Sequence, residues 1–451
     1  MAHGATSRRA PQAHPLARRV REELRSFVAP LLRSLDQQLD RRLVVTFLET
    51  LQALLIWRHR NLGMLLSELG SYLAPPGHAP AGTKRLSNLL RSPKWEARLI
   101  ADWLWQQAVE RVTSLVATGQ DALLVWDDSV IEKSESERHP DYGSVRSSKA
   151  RRLTRVRKGF FRPPLTGAPI SVAGLHWVGL LVCGHSGTPT VAAMQWWTKR
   201  GPHASDHKTV MGQLLARARQ QWGRQVRHLW DRGFAGTPWL FQVLETKLRF
   251  VVRWPKRYTL LDPWGERRKA WEIARGKRAW ATRQLYDPKR KEWRKAGVLA
   301  ISVTHPEHAR PLWLVIARLK GAKEPWYLLT SDPICTAEEA WGVVVAYARR
   351  WQIEQTWRYN KSELGCESPR VWTWERREKF LLILTLVYAF LLSLLARSFD
   401  ALREVCLRWG CHRTGKRSRL VAAPLYRLRA ALSRLLGAHP GTPLMPSLNP
   451  G

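Results

Sequence analysis

A mixed α/β fold is predicted, with an all-helical N-terminal region, a β-rich insertion and C-terminal helices. Three observations predict it. Two short apolar runs, residues 123–126 and 226–230, are each followed directly by an acid, as buried strands that deliver an acidic residue at their C-terminal ends would be. Between residues 248 and 332 the pattern becomes short β-like runs split by very basic loops. Before residue 118 and after residue 370, apolar residues recur at helical spacing.

Taken in order, residues 1–118 form a basic helical region, its opening dozen residues rich in Arg, Ala and Pro. Val45, Phe47, Leu48, Leu51, Leu54 and Leu55 mark one helix, a Pro- and Gly-rich loop spans 74–82, and Lys84 and Arg85 lie on the short basic helix after it. Those two cations are read either as a charged packing surface or as contacts to DNA. Residues 119–247 and 334–365 are read as the catalytic core. It includes strands near 170–183 and 190–198, a helix over 206–221 and another from Thr237-Pro238. Residues 248–333 are the insertion, 366–411 a helical region and 412–451 a basic flexible tail. The apolar run 380–396 is slightly short of the ~20 residues of a membrane span and is read as a buried core helix.

Composition narrows the function. Lys and Arg number 74 against 36 Asp and Glu, a net charge of +38 spread along the whole chain. Such a balance calls for a polyanionic partner, nucleic acid before an acidic membrane surface. The cationic run Lys149, Arg151, Arg152, Arg155, Arg157 and Lys158 is read as a solvated loop or as a tracker of phosphates. Five scattered cysteines make no disulfide framework, and Cys406, Cys411 and His412 lack the paired spacing of a zinc clip. The scatter of the cysteines points to a reducing cytosol, and the basic N-terminus lacks an apolar core before a cleavage site, so no signal peptide is evident and a cytoplasmic location is expected.

Thr336-Ala337-Glu338-Glu339 has the form of a capping box and is read as starting one helix that runs through Glu354. At roughly 100° per residue, Tyr347, Arg350, Glu354 and Lys361 would then share a stripe about 60° wide. The stripe is read as an ion-paired face or as a carboxylate among cations that hold phosphates. Together with an acid after each strand, either Asp127 or Asp128 and then Asp231, Glu354 makes a set of hard oxygen donors suited to two Mg²⁺ ions.

The spacing Tyr347, Arg350, Glu354, Lys361 resembles the Tyr-Arg-Glu-Lys motif of bacterial insertion-sequence DDE transposases of the cut-and-paste group. The resemblance extends to the strand before Asp127, to Asp231-Arg232-Gly233-Phe234, and to Trp326-Tyr327-Leu328-Leu329-Thr330 with the helix that follows, about residues 120–400. It implies a ribonuclease H-like core interrupted by the β-rich insertion. It also implies a metal-binding catalytic triad of Asp127, Asp231 and Glu354 with Mg²⁺, for which Mn²⁺ substitutes. The resemblance also implies Asp127 over Asp128, because members of that family place the acid directly after the strand and two residues before a Ser or Thr, here Ser129. Tyr347, Arg350 and Lys361 would contact phosphates near the cleaved end, and Trp326 would either stack on a flipped base or pack in the core. The implied partners are the terminal inverted repeats, target DNA and a second copy of the chain in a synaptic dimer, with no membrane involved. The rival readings are a structure-selective nuclease without strand transfer and a non-catalytic DNA-binding derivative.

Overall fold

The computed structural model describes residues 10–58, 64–75, 77–133, 136, 138–147, 170–287, 292–410 and 425–440. The cationic run 149–158, Cys411 and His412 lie outside the described residues.

Among the described residues the chain opens with α1 (Ala10–Asp36), α2 (Arg41–Ile56), α3 (Leu66–Gly70), α4 (Ala79–Arg91) and α5 (Arg98–Ala117). Asp40 caps α2, its carboxylate accepting from Leu43 N at 3.1 Å, a contact worth ~1 kcal/mol. From that start Phe47, Leu51, Leu54 and Leu55 fall on one buried face. α3 and α4 meet backbone to backbone, because a Cβ on Gly82 would lie 2.0 Å from Gly70 O.

A twelve-stranded sheet follows. Its first strands are β1 (Ala122–Glu132), β2 (Gly143–Arg146), β3 (Ser171–Cys183) and β4 (Thr190–Trp197). α6 (His207–Trp222) then leads to β5 (Val226–Trp230), and α7 (Thr237–Glu245) to β6 (Arg249–Arg253). β1, β5 and β6 are parallel, whereas β2, β3 and β4 are joined by antiparallel pairings and attach through β3 to β1. β6, which the sequence reading puts in the insertion, is therefore part of the parallel core, its Phe250, Val251 and Val252 buried as a central strand requires.

The remaining strands prolong this same sheet. They are β7 (Thr259–Leu261), β8 (Arg267–Lys269), β9 (Ala281–Asp287), β10 (Glu292–His305), β11 (His308–Leu319) and β12 (Trp326–Thr330), with α8 (Ala270–Ala274) after β8. β12 returns antiparallel to β6, and β11 and β10 add beyond it. β8 is all cationic and exposed, so it carries no apolar alternation that a sequence pattern could register.

The remaining helices among the described residues are α9 (Ala337–Ala348), α10 (Trp351–Ser362), α11 (Trp374–Ser393), α12 (Asp400–Gly410) and α13 (Leu425–Ala438). α11 is apolar on all sides and almost wholly buried from Phe380 to Leu392. Among the described residues no single helix is long and apolar enough to cross a membrane. The N-terminal helices share one core with α10, α11, α13 and one face of the sheet, while α5, α6, α7 and α8 contribute to the core on the other face.

α13 corrects the flexible tail expected over 412–451: Leu428, Leu432, Leu435 and Leu436 are buried. Arg429, fully buried in its middle, donates to Leu54 O at 3.1 Å, to Trp57 O at 2.8 Å and to Glu363 O. One guanidinium thus satisfies carbonyls at the end of α2 and at the end of α10. Arg429→Met should lower unfolding free energy in urea by about 2–4 kcal/mol by stranding those carbonyls. The same change at exposed Lys84 should stay within ~0.5 kcal/mol.

Candidate active site

The two strand acids meet because of register. β1 pairs with β5 from Ala122↔Val226 to Val125↔Leu229, and the same offset carried two residues further sets Asp127 level with Asp231. Neighbouring strands lie ~4.8 Å apart, so the two carboxyls are near neighbours. Asp127 is not at the strand's end as expected. β1 runs on to Glu132, paired with β3 alone after β5 stops. Asp231 lies just past β5, where its Oδ1 accepts from Gly233 N at 2.6 Å and caps the short turn Arg232–Phe234.

Alternation along β1 separates the adjacent acids. Leu123 and Val125 belong to the core under α10, and Leu124 and Trp126 to the core under α6. Asp127 therefore faces α10, where Trp357 Nε1 donates to its Oδ2 at 3.0 Å, and Asp128 faces His207 at the start of α6. Burial pushes the Asp127 carboxyl up to about 7, with Asp231 and Asp128 adding to the rise and Arg350 and the Trp357 hydrogen bond opposing it. Asp128 is raised as well, by the protein packed around it and then by Asp231, against His207.

Glu354 arrives on a helix that the sequence misjudged. The capping box at Thr336 is present, with Thr336 Oγ1 accepting from Glu339 N at 3.2 Å and Glu339 Oε2 from Thr336 N at 2.9 Å. The helix it starts stops at Ala348, and Glu354 belongs to the next, α10. Between them the backbone tightens into successive three-residue turns, Arg349 N to Ala346 O, Arg350 N to Tyr347 O, Gln352 N to Arg349 O and Ile353 N to Arg350 O, each 3.0–3.2 Å. Tyr347 and Glu354 consequently do not share one regular helical stripe.

Arg350 stands at this seam and joins the acids. Its Nη2 donates to Glu354 Oε1, and its Nη1 lies 3.8 Å from Asp127 Oδ2. Burial works against its cation, yet Tyr347, Asp127 and Glu354 together hold its pKa above the ordinary range. Tyr347 is buried, and its ring meets that of Trp326 edge-on at 5.5 Å. Its phenol is raised by burial, with Arg350 and Arg253 opposing and Asp231 adding. Arg253 lies over the Trp326 ring at 5.6 Å and is lowered to about 10 by burial.

Asp127, Asp231, Glu354, Tyr347, Arg350 and Trp326 thus form one linked group. Lys361 sits half-buried on the last turn of α10, and among the described residues no ion pair links it to an acid. Arg85 is engaged inside the fold, pairing with Glu49 and donating to Leu73 O at 2.7 Å, while Lys84 beside it is exposed. Sequence reasoning overlooked Trp357 as an acid's partner and Gly179 entirely. Gly179 is the cross-strand neighbour of Asp127 on β3, and a Cβ there would come 2.3 Å from the Trp357 ring. The only sequence signal was Trp357 at i+3 from Glu354.

Among the described residues no group of three or more His, Cys, Asp or Glu side chains is close enough to hold a metal ion. Arg350 contacts Glu354 and approaches Asp127, so a guanidinium stands among the carboxylates. The donors nonetheless suit a hard divalent cation. Asp127 and Asp231 present carboxylate oxygens from adjacent strands, and their repulsion helps to raise Asp127 toward neutrality.

Residues 180–390 match the family model described as the transposase DDE domain, a span that includes Asp231 and Glu354 and begins after Asp127. The match supports a DDE transposase. No curated protein matches the chain. Among solved structures, the cryo-EM structure of a piggyBac transposase synaptic complex with hairpin DNA superposes with a TM-score of 0.41 at 12% identity, over 89% of this chain and 73% of that one. A likeness at that level carries no weight for function.

Two outcomes follow from the geometry. An Asp whose folded pKa is raised stabilises the fold below its unfolded pKa near 4 and loses that contribution as pH rises through about 7. Asp127→Asn should therefore gain melting temperature over the parent at pH 8 and show little gain at pH 4, read by thermal melts without metal. Gly179→Ala should destabilise by about 1–3 kcal/mol, and less in a Trp357→Phe background, so a double-mutant cycle returns a nonzero coupling.

Proposed function

We propose that the chain is a DNA transposase that binds the inverted-repeat ends of an insertion sequence and catalyses metal-dependent strand cleavage and strand transfer. The observation that carries the reading is the register that levels Asp127 with Asp231, with Arg350 linking Asp127 to Glu354. The match of residues 180–390 to the transposase DDE domain supports it, as does the +38 net charge, which suits a polyanionic substrate. A ribonuclease H-like core is supported by adjacent parallel strands that each deliver an acid under a helix bearing the third.

On this reading Asp127, Asp231 and Glu354 would hold divalent metal, Mg²⁺ by the hardness of the donors, and the metal would supply activation of the attacking oxygen and charge stabilisation of the leaving one. The chain's own groups do the rest. Arg350, paired with Glu354 in the free protein, gives up that partner to present a planar, always charged donor to the scissile phosphate. Tyr347 stays protonated, because burial raises its phenol, and offers an O–H to a phosphate oxygen. Trp326, half-buried against Tyr347, bounds the side toward β12 and stands where a base leaving the stack would find a ring. Two ends must be held at once, which a homodimer accomplishes.

Glu354→Ala should abolish Mg²⁺-dependent cleavage of DNA carrying the element's ends while its gel shift of that DNA persists; full cleavage would sink the proposal. Joined products from pre-cut ends separate a transposase from a nuclease. In the absence of DNA, Mg²⁺ should raise the melting temperature of the parent at pH 8, and Asp231→Ala should lose that rise.

A further inference from the structure

The far edge of the sheet carries a second surface with chemistry of its own. Large aromatic side chains are exposed there in unusual density: Tyr258, Trp264, Trp271, Trp280, Tyr286 and Trp293 all fall in the short stretch that builds β7 to β10. Trp264 is 73% exposed and Trp280 47%. Both line one groove of about 560 Å³, floored by Leu299, Ala300 and Ile301 of β10. Four strand spacings separate β10 from β5, ~19 Å, so the groove is apart from the acids.

The groove is built, for all its exposure. Asp262 Oδ1 accepts from Trp264 N and Glu266 N, both at 3.0 Å, which fixes the turn that presents Trp264. Trp280 N donates to Val298 O at 2.7 Å, fastening the second ring to β10. Arg318 donates to Ala274 O at 2.8 Å and to Lys277 O at 2.7 Å and so holds the loop between α8 and β9.

Its charge is one-sided. Asp262 is paired with Arg268 at 3.3 Å, and Glu272 accepts from Lys269 N at 2.8 Å. Among the described residues no acid pairs with Arg275, Lys277 or Arg278, which are exposed on the groove wall. Lys277 Nζ lies 5.4 Å from the Trp264 ring centre, so cation and ring are presented together.

Exposed indoles leave apolar surface in water unless a partner covers it, and the cations beside them favour an anionic one. A duplex buries its base faces in the stack, whereas an unpaired strand offers a flat ring and a phosphate at every step. We propose that this groove binds an unpaired DNA strand, with bases stacked on Trp264 and Trp280 and phosphates against Arg275, Lys277 and Arg278. That the strand is DNA rests on the transposase reading; that it is unpaired rests on the groove.

The test uses the full chain, EDTA, and a fluorescein-labelled twelve-nucleotide oligo-dT followed by anisotropy, with a duplex of equal length beside it. Trp264→Ala with Trp280→Ala should weaken oligo-dT binding by about tenfold or more and duplex binding far less, and the paired Phe variants should bind like the parent. Arg275→Gln with Arg278→Gln should flatten the slope of log affinity against log salt by about 1.4, two contacts at ~0.7 each. Asp231→Ala, which stops cleavage under the proposed function, should leave oligo-dT binding unchanged, so the two proposals fail separately. Equal oligo-dT binding by the Ala pair, equal losses for strand and duplex, or a loss confined to self-association of the chain would each overturn the proposal.

Discussion

Parallel pairing of β1 with β5 is the constraint on which the candidate site depends. It levels Asp127 with Asp231, and it does so only in this register, since a one-residue slip would turn every side chain of β1 to the opposite face and exchange Asp127 for Asp128. The apolar residues before the acids enforce the register from both sides: Leu123 and Val125 in one core, Leu124 and Trp126 in the other. Two acids are held together by burying the four residues that precede the first of them.

The surroundings of Asp127 show how such a site is tolerated. A largely buried carboxyl beside two others favours its neutral form, and the fold answers with one indole N–H and one guanidinium. Gly179 makes room for that indole, and the tight turns at the start of α10 aim Arg350 at the acids. Behind α10 lie α11 and the N-terminal helices, with Arg429 tying α13 to the ends of α2 and α10. Support for the site is thus drawn from both ends of the chain.

The insertion extends this scaffold. Because β12 pairs back onto β6, the strands beyond it continue the sheet that carries the acids, and Trp326 at the start of β12 is set against Tyr347. The same continuity fixes the groove of Trp264 and Trp280 at the sheet's far edge. The sheet thereby separates two surfaces of different character, one acidic and half-buried, the other aromatic, cationic and exposed.

Local pattern alone determined much of the chain. The limits of β5 and β12, the capping box at Thr336, the two acids after apolar runs and the all-round apolar character of α11 follow from hydrophobic periodicity and capping chemistry, which act between near neighbours. Tertiary structure decided the rest. The break between α9 and α10, the burial of α13, the placement of β6 in the core, the partnership of Gly179 with Trp357 and the engagement of Arg85 by Glu49 each depend on residues far apart in the chain. Convergence of Asp127 with Asp231 is the plainest case: the residue types were legible, but their meeting depends on the register of strands about a hundred residues apart, and register is set by burial on both faces of a sheet that no local pattern describes.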